Sequence, residues 1–388
     1  MVGPVVVIGG GIVGLSCAYA LADRGRDVVV CEKASLGAGS TARAAGGIRT
    51  QFSTRINVEL SLASLPTWEA FEEHFGVDIG FKQVGYLFLA REATTADRFE
   101  ETVAMQQKAG ASVDLLSPAD AATHCPELHA DRFRSATYAG RDGFADPYLA
   151  LQGYADAARA AGVDIRTHTE VTAIDRTDAG IETVTIGTSG GTERLEPSAV
   201  INAAGPWASA IAALADMEIP VVPRRRQALV AAPETPIGET VPLTIDLDSG
   251  VYFRPEREGA AIVGGQFDAD DPEADPDRYS ESMDLDWAAT AIERAADVAG
   301  YFGPKTQLKR GWAGLYAVTP DHHPIIEETE PGFVNAVGFS GHGFQHAPAT
   351  GQVVAELLID GEASTVDISG LSSDRFDRGE QLIERHVA

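Results

Sequence analysis

Only three cysteines are present, Cys17, Cys31 and Cys125, an odd and widely spaced set with no CxxC pair. That excludes a disulfide framework and a zinc site, so no metal is expected and a reducing cytoplasm fits. No apolar run approaches the ~18 residues that a membrane span needs, and no leader-like segment precedes the first predicted strand. A soluble, unprocessed cytoplasmic chain is expected, not an integral membrane protein. Lysine is scarce as well: Lys33, Lys82, Lys108, Lys305 and Lys309 are the only ones, and the remaining basic residues are arginines. Against 30 basic residues stand 57 acidic ones, a formal charge of −27. Such a surface repels nucleic acid and anionic membranes. It suits a salt-rich cytoplasm, because at molar ionic strength the Debye length falls to about 3 Å and self-repulsion is screened. A halophilic protein is expected; a GC-rich genome would explain arginine over lysine but not the size of the charge.

The 388 residues, 44% of them hydrophobic, are enough for two domains with a core each. Val5-Val6-Val7-Ile8 is a β-branched run ending at glycine, the mark of a strand buried on both faces. A helix over 12–24 and a second buried strand over 28–31 complete a βαβ unit. Further strands are predicted at 86–90, 163–165, 170–174, 199–202, 251–254, 261–264 and 333–337. Helices are predicted at 95–109, 147–161 and about 347–359. The acidic stretch 268–286 reads as a solvated surface loop. Because the strand-into-glycine pattern returns after 199 and again after 333, the domains are expected to interleave. Residues 1–80, 144–214 and 310–388 are assigned to a dinucleotide-binding domain, and 81–143 with 215–309 to a second domain.

Gly9, Gly11 and Gly14 have the spacing of a phosphate-binding turn between strand and helix. The first glycine makes the turn, the second admits the pyrophosphate and the third lets helix and strand pack closely, with Ile12 and Val13 offering amides at the helix start. Glu32, at the tip of the next strand with Lys33 beside it, can accept from a ribose diol and would repel a 2′-phosphate, which disfavours NADP. The turn alone leaves NAD and FAD both open.

The stretch from Gly37 to Arg49, which includes Ser40, Thr41, Arg43, Gly46 and Gly47, is too rich in small residues for an ordinary helix. It resembles the segment that lies along the pyrophosphate and flavin in the D-amino-acid oxidase-like superfamily of FAD-dependent amine oxidoreductases. Three later blocks resemble the same family in the same order: Val200 to Trp207, Trp312 to Asp321, and Gly338 to Phe344. The resemblance implies an α/β FAD-binding domain, Rossmann-like and GR2-type, interleaved with an α+β substrate domain on an antiparallel sheet. It further implies that Val171 pairs its backbone with the adenine. Ala204, Gly205, Trp207 and Gly314 would line the cofactor, and Gly341, His342, Gly343, Phe344 and Gln345 would present donors to the flavin pyrimidine, where reduction places negative charge.

Within the superfamily the chain looks most like the sarcosine and dimethylglycine oxidoreductase branch, whose members pass a hydride from an N-methylated amino acid to flavin N5 and leave an imine. Tyr316 stands where glycine and D-amino-acid oxidases have a carboxylate-binding arginine. Arg49 matches the branch's own carboxylate-binding arginine, with a surface salt bridge or a flavin-phosphate contact as its alternatives. Tyr252 matches a substrate-facing tyrosine, and Arg254, two residues on, is a spare carboxylate ligand. His342 is a candidate catalytic group whose alternative is packing.

Three departures modify what is implied. Gly314 and the Ala42-Arg43 region lack the cysteine and histidine to which relatives tether their flavin, so FAD is expected to be non-covalent. Ile262 stands where the oxidases carry an oxygen-activating lysine, which favours an electron-acceptor protein or quinone over oxygen. Gln345 replaces a second carboxylate-binding lysine. The alternatives are a D-amino-acid, glycine or L-proline dehydrogenase of the superfamily, and a flavin-bearing subunit of a multi-subunit complex that is inactive alone.

Overall fold

A computed structural model describes residues 3–188, 190–267 and 271–386. Its organising element is a six-stranded sheet in the order Ile325–Glu330, Phe333–Val337, Ala199–Asn202, Val5–Ile8, Val28–Cys31, Asp164–Arg166. The pairings are parallel except between the first two strands. Val5–Ile8 lies in the middle, with Val5 opposite both Val28 and Ala199.

The unbroken apolar run of that strand follows from its two covered faces. Val5 and Val7 pack with Leu15, Leu21, Tyr154 and Val353, from the helices Ile12–Asp23, Pro147–Ala160 and Gly343–Asp360. Val6 and Ile8 pack on the other side with Val171, Ile174, Val184 and Ile186 of a three-stranded sheet. Burial of each such side chain contributes about 1.5–3 kcal/mol, so a polar residue at any of the four positions would leave one layer without its seat.

The second large sheet has eight strands: Gln307–Val318, Val222–Ala232, Ala261–Gly265, Val251–Pro255, Leu243–Asp246, Tyr86–Ala90, Ser135–Ala139 and Asp114–Leu116. It is antiparallel apart from the pair Leu243–Asp246 and Tyr86–Ala90. The helix Leu285–Val298 covers one face through Trp287, Ala291, Ala295 and Val298.

Several details differ from the sequence reading. Strand Gln307–Val318 runs through the expected boundary at 309/310 and pairs from end to end with Val222–Ala232. The last long helix begins at Gly343, not near 347. The glycine turn is its first turn, and Pro348 is carried inside it. The acidic stretch is a largely exposed surface loop over 271–284, as its composition implied, but several of its acids pair with basic residues at the cavity rim. Residues 268–270 lie outside the described residues, 271–284 are pinned by ion pairs, and the helix starts at Leu285.

Candidate active site

A cavity of about 870 Å³ opens where the parallel strands end and meets the antiparallel sheet. Ile8, Cys31, Ala203 and Val337, at or next to the C-terminal ends of four strands, form its floor. Ligands of open α/β sheets bind at this end, because loops there leave a crevice between diverging chain directions.

Two helix N-termini open into this one cavity. Gly11 caps the helix Ile12–Asp23 and His342 caps Gly343–Asp360, in both cases without a side-chain capping bond. Their first amides have no carbonyl partner within the helix and carry the positive end of the helix dipole. Close approach makes both turns possible. Gly14 packs so tightly that a Cβ would lie 2.0 Å from the Gly9 carbonyl oxygen, and Gly9 itself has φ +112°. Gly341, at φ +94°, leaves room for the Tyr316 ring, which a Cβ would meet at 2.3 Å.

Gly9, Gly11, Ile12 and Val13 line the cavity, and the Ile12 amide donates to Thr41 Oγ1 at 3.2 Å. Glu32 lines it too, its carboxylate held at 2.8 Å by the amides of Gly10 and Ala34. Lys33 sits over the Trp207 ring at 4.0 Å and pairs with Asp277 at 2.8 Å. Ser40 donates to the Leu315 carbonyl at 2.6 Å, and Arg43 contacts Gly39 O at 2.9 Å and the Glu281 carboxylate. Gly46, Gly47, Val171, Ala204, Gly205 and Gly314 complete this part of the wall. Of the cofactor candidates only Gly14 is set back, inside the strand–helix contact. A Cβ at Gly314 would meet Arg43 Cβ at 2.8 Å, and Cys17, Cys31 and Cys125 are free and buried.

At the other end stand Arg49, Tyr86, Tyr252, Tyr316, His342 and Gln345. Arg49 is 6% exposed. Its guanidinium donates to the carbonyls of Gln51 and His386 and approaches His342 Nε2 at 3.2 Å, while its carbon lies 4.0 Å over the Phe52 ring. The Gln345 side chain accepts the Arg49 amide at 2.9 Å. Since arginine only donates, His342 Nε2 must accept, which puts the imidazole proton on Nδ1. That Nδ1 is buried and has no partner. Burial first, then Arg49 and His346, hold His342 well below the ordinary histidine range, so the ring is neutral. Burial likewise raises Tyr252 and Tyr316, leaving two neutral phenols as donors.

Arg254 is a correction. It does not line the cavity: its guanidinium turns to the carbonyls of Ala45 and Pro255, at 3.0 and 2.8 Å, and to Glu256 at 3.2 Å. Strand alternation puts it on the face of Tyr252, but a long side chain on that face reached the backbone of the small-residue segment instead. Tyr86 and Arg226 are cavity residues that sequence reasoning missed. Tyr86 was legible only as a strand aromatic, and Arg226 as the last of three successive arginines. Arg226 stands 5.4 Å from the Tyr316 ring and is gripped by both oxygens of Asp271.

The acidic segment closes the rim of the cavity. Asp271 holds Arg226, Asp277 holds Lys33 and the Trp207 indole, Glu281 holds Arg43 and Asp284 holds Arg225. Pro276, Asp277, Tyr279 and Glu281 are themselves part of the lining. Solvation explains acidic composition in general; here three arginines and Lys33 across the rim turn four of the acids into fasteners.

A Gly-turn on a parallel sheet, an acid at the second strand, a second uncapped helix in the same cavity and an orphaned donor on its cap together fit a dinucleotide whose other end is an electron-accepting ring. Fold and cavity define an FAD-dependent oxidoreductase. Residues 4–357 match the family described as FAD dependent oxidoreductase (DAO), and the chain belongs to it. It is 33% identical to FAD-dependent oxidoreductase domain-containing protein 1 of Xenopus laevis, over 99% of this chain and 84% of that one. It is 29% identical to human mitochondrial sarcosine dehydrogenase, over 96% of this chain but 41% of that protein. Among solved structures, L-proline dehydrogenase from P. horikoshii superposes with a TM-score of 0.88 at 32% identity, covering 98% and 99% of the two chains. The chain is thus an FAD-dependent oxidoreductase.

Proposed function

We propose that the chain dehydrogenates a small N-alkylated amino acid, of the class that contains sarcosine, dimethylglycine and L-proline. FAD would be bound without a covalent tether, and a carrier protein or quinone would be the electron acceptor. The observation that carries this reading is Arg49, a buried guanidinium on the cavity wall with no carboxylate at ion-pair distance among the described residues. Burial is the main cause that lowers it from its ordinary value, opposed by Tyr86, Glu384, Asp142 and Tyr316. A substrate carboxylate would supply the missing countercharge and accept from the donors left over by Gln51, His386 and His342.

Gly9, Gly11, Ile12, Val13, Glu32, Lys33, Ser40, Thr41 and Arg43 would hold the dinucleotide, with Val171, Ala204, Gly205, Trp207 and Gly314 around it. The turn from Gly341 to Gln345 would face the ring. A flavin bound there supplies the hydride acceptor for the amine's α-carbon or N-methyl C–H. The protein's own part is to orient. Arg49 fixes the carboxylate, and the phenols of Tyr252 and Tyr316 offer donors without charge. His342, neutral, neither repels a cationic amine nor competes for the carboxylate. An amine must be neutral to lose hydride, and this end of the cavity supports that state, because, of the lining acids, Glu32, Asp277 and Glu281 are engaged elsewhere and Glu170 stands beside Val171, at the dinucleotide end.

Support for the substrate class comes from the sarcosine and L-proline relatives and from tyrosine at 316. Support for a carrier over oxygen comes from Ile262, which is buried among Val230, Ala260, Tyr252 and Trp312 and brings no charge to the cavity. The test is paired dye-linked turnover of sarcosine against dimethylamine and of L-proline against pyrrolidine. Turnover of the acids alone is expected, and equal turnover of the decarboxylated amines would overturn the carboxylate reading. Turnover with dye but not with oxygen is expected for the acceptor. No turnover by the FAD-loaded chain without a second subunit would favour the complex-bound alternative.

A further inference from the structure

Residues 380–386 lie past the family match, yet they return to the wall behind Arg49. Their anchor is Glu384, a carboxylate only 1% exposed. Its Oε1 accepts from Ser53 N at 2.7 Å, Ser53 Oγ at 2.6 Å and His386 N at 3.0 Å. Its Oε2 accepts from Thr54 Oγ1 at 2.7 Å, Asn57 Nδ2 at 3.1 Å and Thr54 N at 3.2 Å. Ser53, Thr54 and Asn57 begin the helix Arg55–Glu69, whose own cap, Thr54, makes no side-chain capping bond. The carboxylate thus satisfies the amides of Thr54 and of the residue before it at this helix start, from more than three hundred residues away, with the helix dipole in its favour.

Two backbone bonds fix the course of the segment: Glu384 N to Asp321 O at 3.0 Å and Arg385 N to Ser53 Oγ at 2.8 Å. From there the chain reaches Arg49. The His386 carbonyl accepts from the guanidinium, and the His386 ring packs 5.2 Å from Phe88, itself 5.3 Å from the Arg49 carbon. Gln51, whose carbonyl takes another Arg49 donor, is two residues from Ser53. Both protein carbonyls that hold Arg49 thus hang on the cluster that Glu384 closes.

We propose that Glu384 is a positioning residue for the substrate carboxylate site: by anchoring 384–386 on Ser53 and Thr54 it sets the His386 carbonyl against Arg49. That in turn determines which guanidinium donors are spent and which face the cavity. The proposal rests on Arg49 as the carboxylate ligand.

The test uses the FAD-loaded full chain and propionate as a carboxylate probe, followed by perturbation of the bound flavin's visible band. Glu384→Gln keeps the shape but sets an amide against donors. It is expected to raise the dissociation constant for propionate roughly tenfold, with flavin content retained, as loss of a charged acceptor's bonds implies. Arg49→Lys is expected to weaken propionate as well, and the double variant to be little worse than Arg49→Lys alone, since the two act in series. Ser53→Ala, which removes the hydroxyl that donates to Glu384 and accepts from Arg385 N without touching Arg49, is expected to shift affinity in the same direction. It decides the matter where Glu384→Gln does not fold. Unchanged affinity in the folded variants, or effects that multiply in the double variant, overturns the proposal. If Arg49→Lys itself leaves propionate binding unchanged, the reading of Arg49 fails instead.

Discussion

On the proposed function Arg49 is the central residue of the site, because a guanidinium stays charged when buried and presents its donors as a rigid fork. Arg49→Lys keeps a cation but loses the fork. It is expected to raise KM for an amino-acid substrate by roughly tenfold to a hundredfold with a smaller change in kcat, read from steady-state kinetics. Asp142 offers a second residue-scale test. It is fully buried, accepts from the Thr50 amide and hydroxyl at 2.9 and 2.8 Å, and leaves Oδ2 without a partner. Burial raises it from 3.8 to about 7, partly offset by the Thr50 bonds and Arg49. The unfolded chain sheds this proton near 3.8 while the folded chain keeps it to about 7, so the group costs stability progressively across that window and nothing below it. Asp142→Asn is expected to gain melting temperature relative to the parent as pH rises through the window, then to level off; a constant difference would contradict this. Only the family resemblance of the segment that ends at Arg49 pointed to it in sequence, and the structure places it on the cavity wall. Arg254 was misplaced, because alternation gives a face but not where a flexible side chain on that face ends.

At the scale of elements, the strand–turn–helix at 5–23 was legible nearly residue by residue. Its runs are β-branched and doubly buried, and its turn admits only glycine at two positions. Gly14→Ala would force a Cβ to 2.0 Å from the Gly9 oxygen, so helix and strand must separate. The expected outcome is a loss on the order of 1–3 kcal/mol in stability together with loss of bound flavin, measured by melting and by flavin content per chain. A variant that keeps its FAD and its melting temperature would contradict the role of this contact. The ion pairs of the acidic segment were not legible, because their partners Lys33, Arg43, Arg225 and Arg226 come from three distant parts of the chain. The helix starting at Gly343 escaped for a different reason: glycine at a first turn reads locally as loop, and the close approach of Phe339, which a Cβ there would meet at 3.3 Å, shows only in the fold.

The molecule as a whole carries a charge of −27, and its ion pairs are mostly exposed ones worth little individually. Screening of the net repulsion should therefore outweigh weakening of the pairs. Raising KCl from low to molar concentration is expected to raise the melting temperature by on the order of several degrees, and a fall or no change would count against a salt-adapted surface. Composition gave that expectation, and the recurring strand-into-glycine units gave the interleaving. Neither could show that the strand Gln307–Val318 carries Tyr316 on the second sheet, across a boundary that composition does not mark. On the proposed function, selectivity arises between the two sheets, where Arg49, Tyr252 and Tyr316 line the cavity. The most direct measurement is anaerobic reduction of the bound flavin by sarcosine, dimethylglycine, L-proline, glycine and D-alanine in turn. Bleaching of the visible flavin band by one or more of the first three, and not by glycine or D-alanine, is the predicted result; bleaching by glycine or D-alanine alone, or by none of the five, would contradict the account.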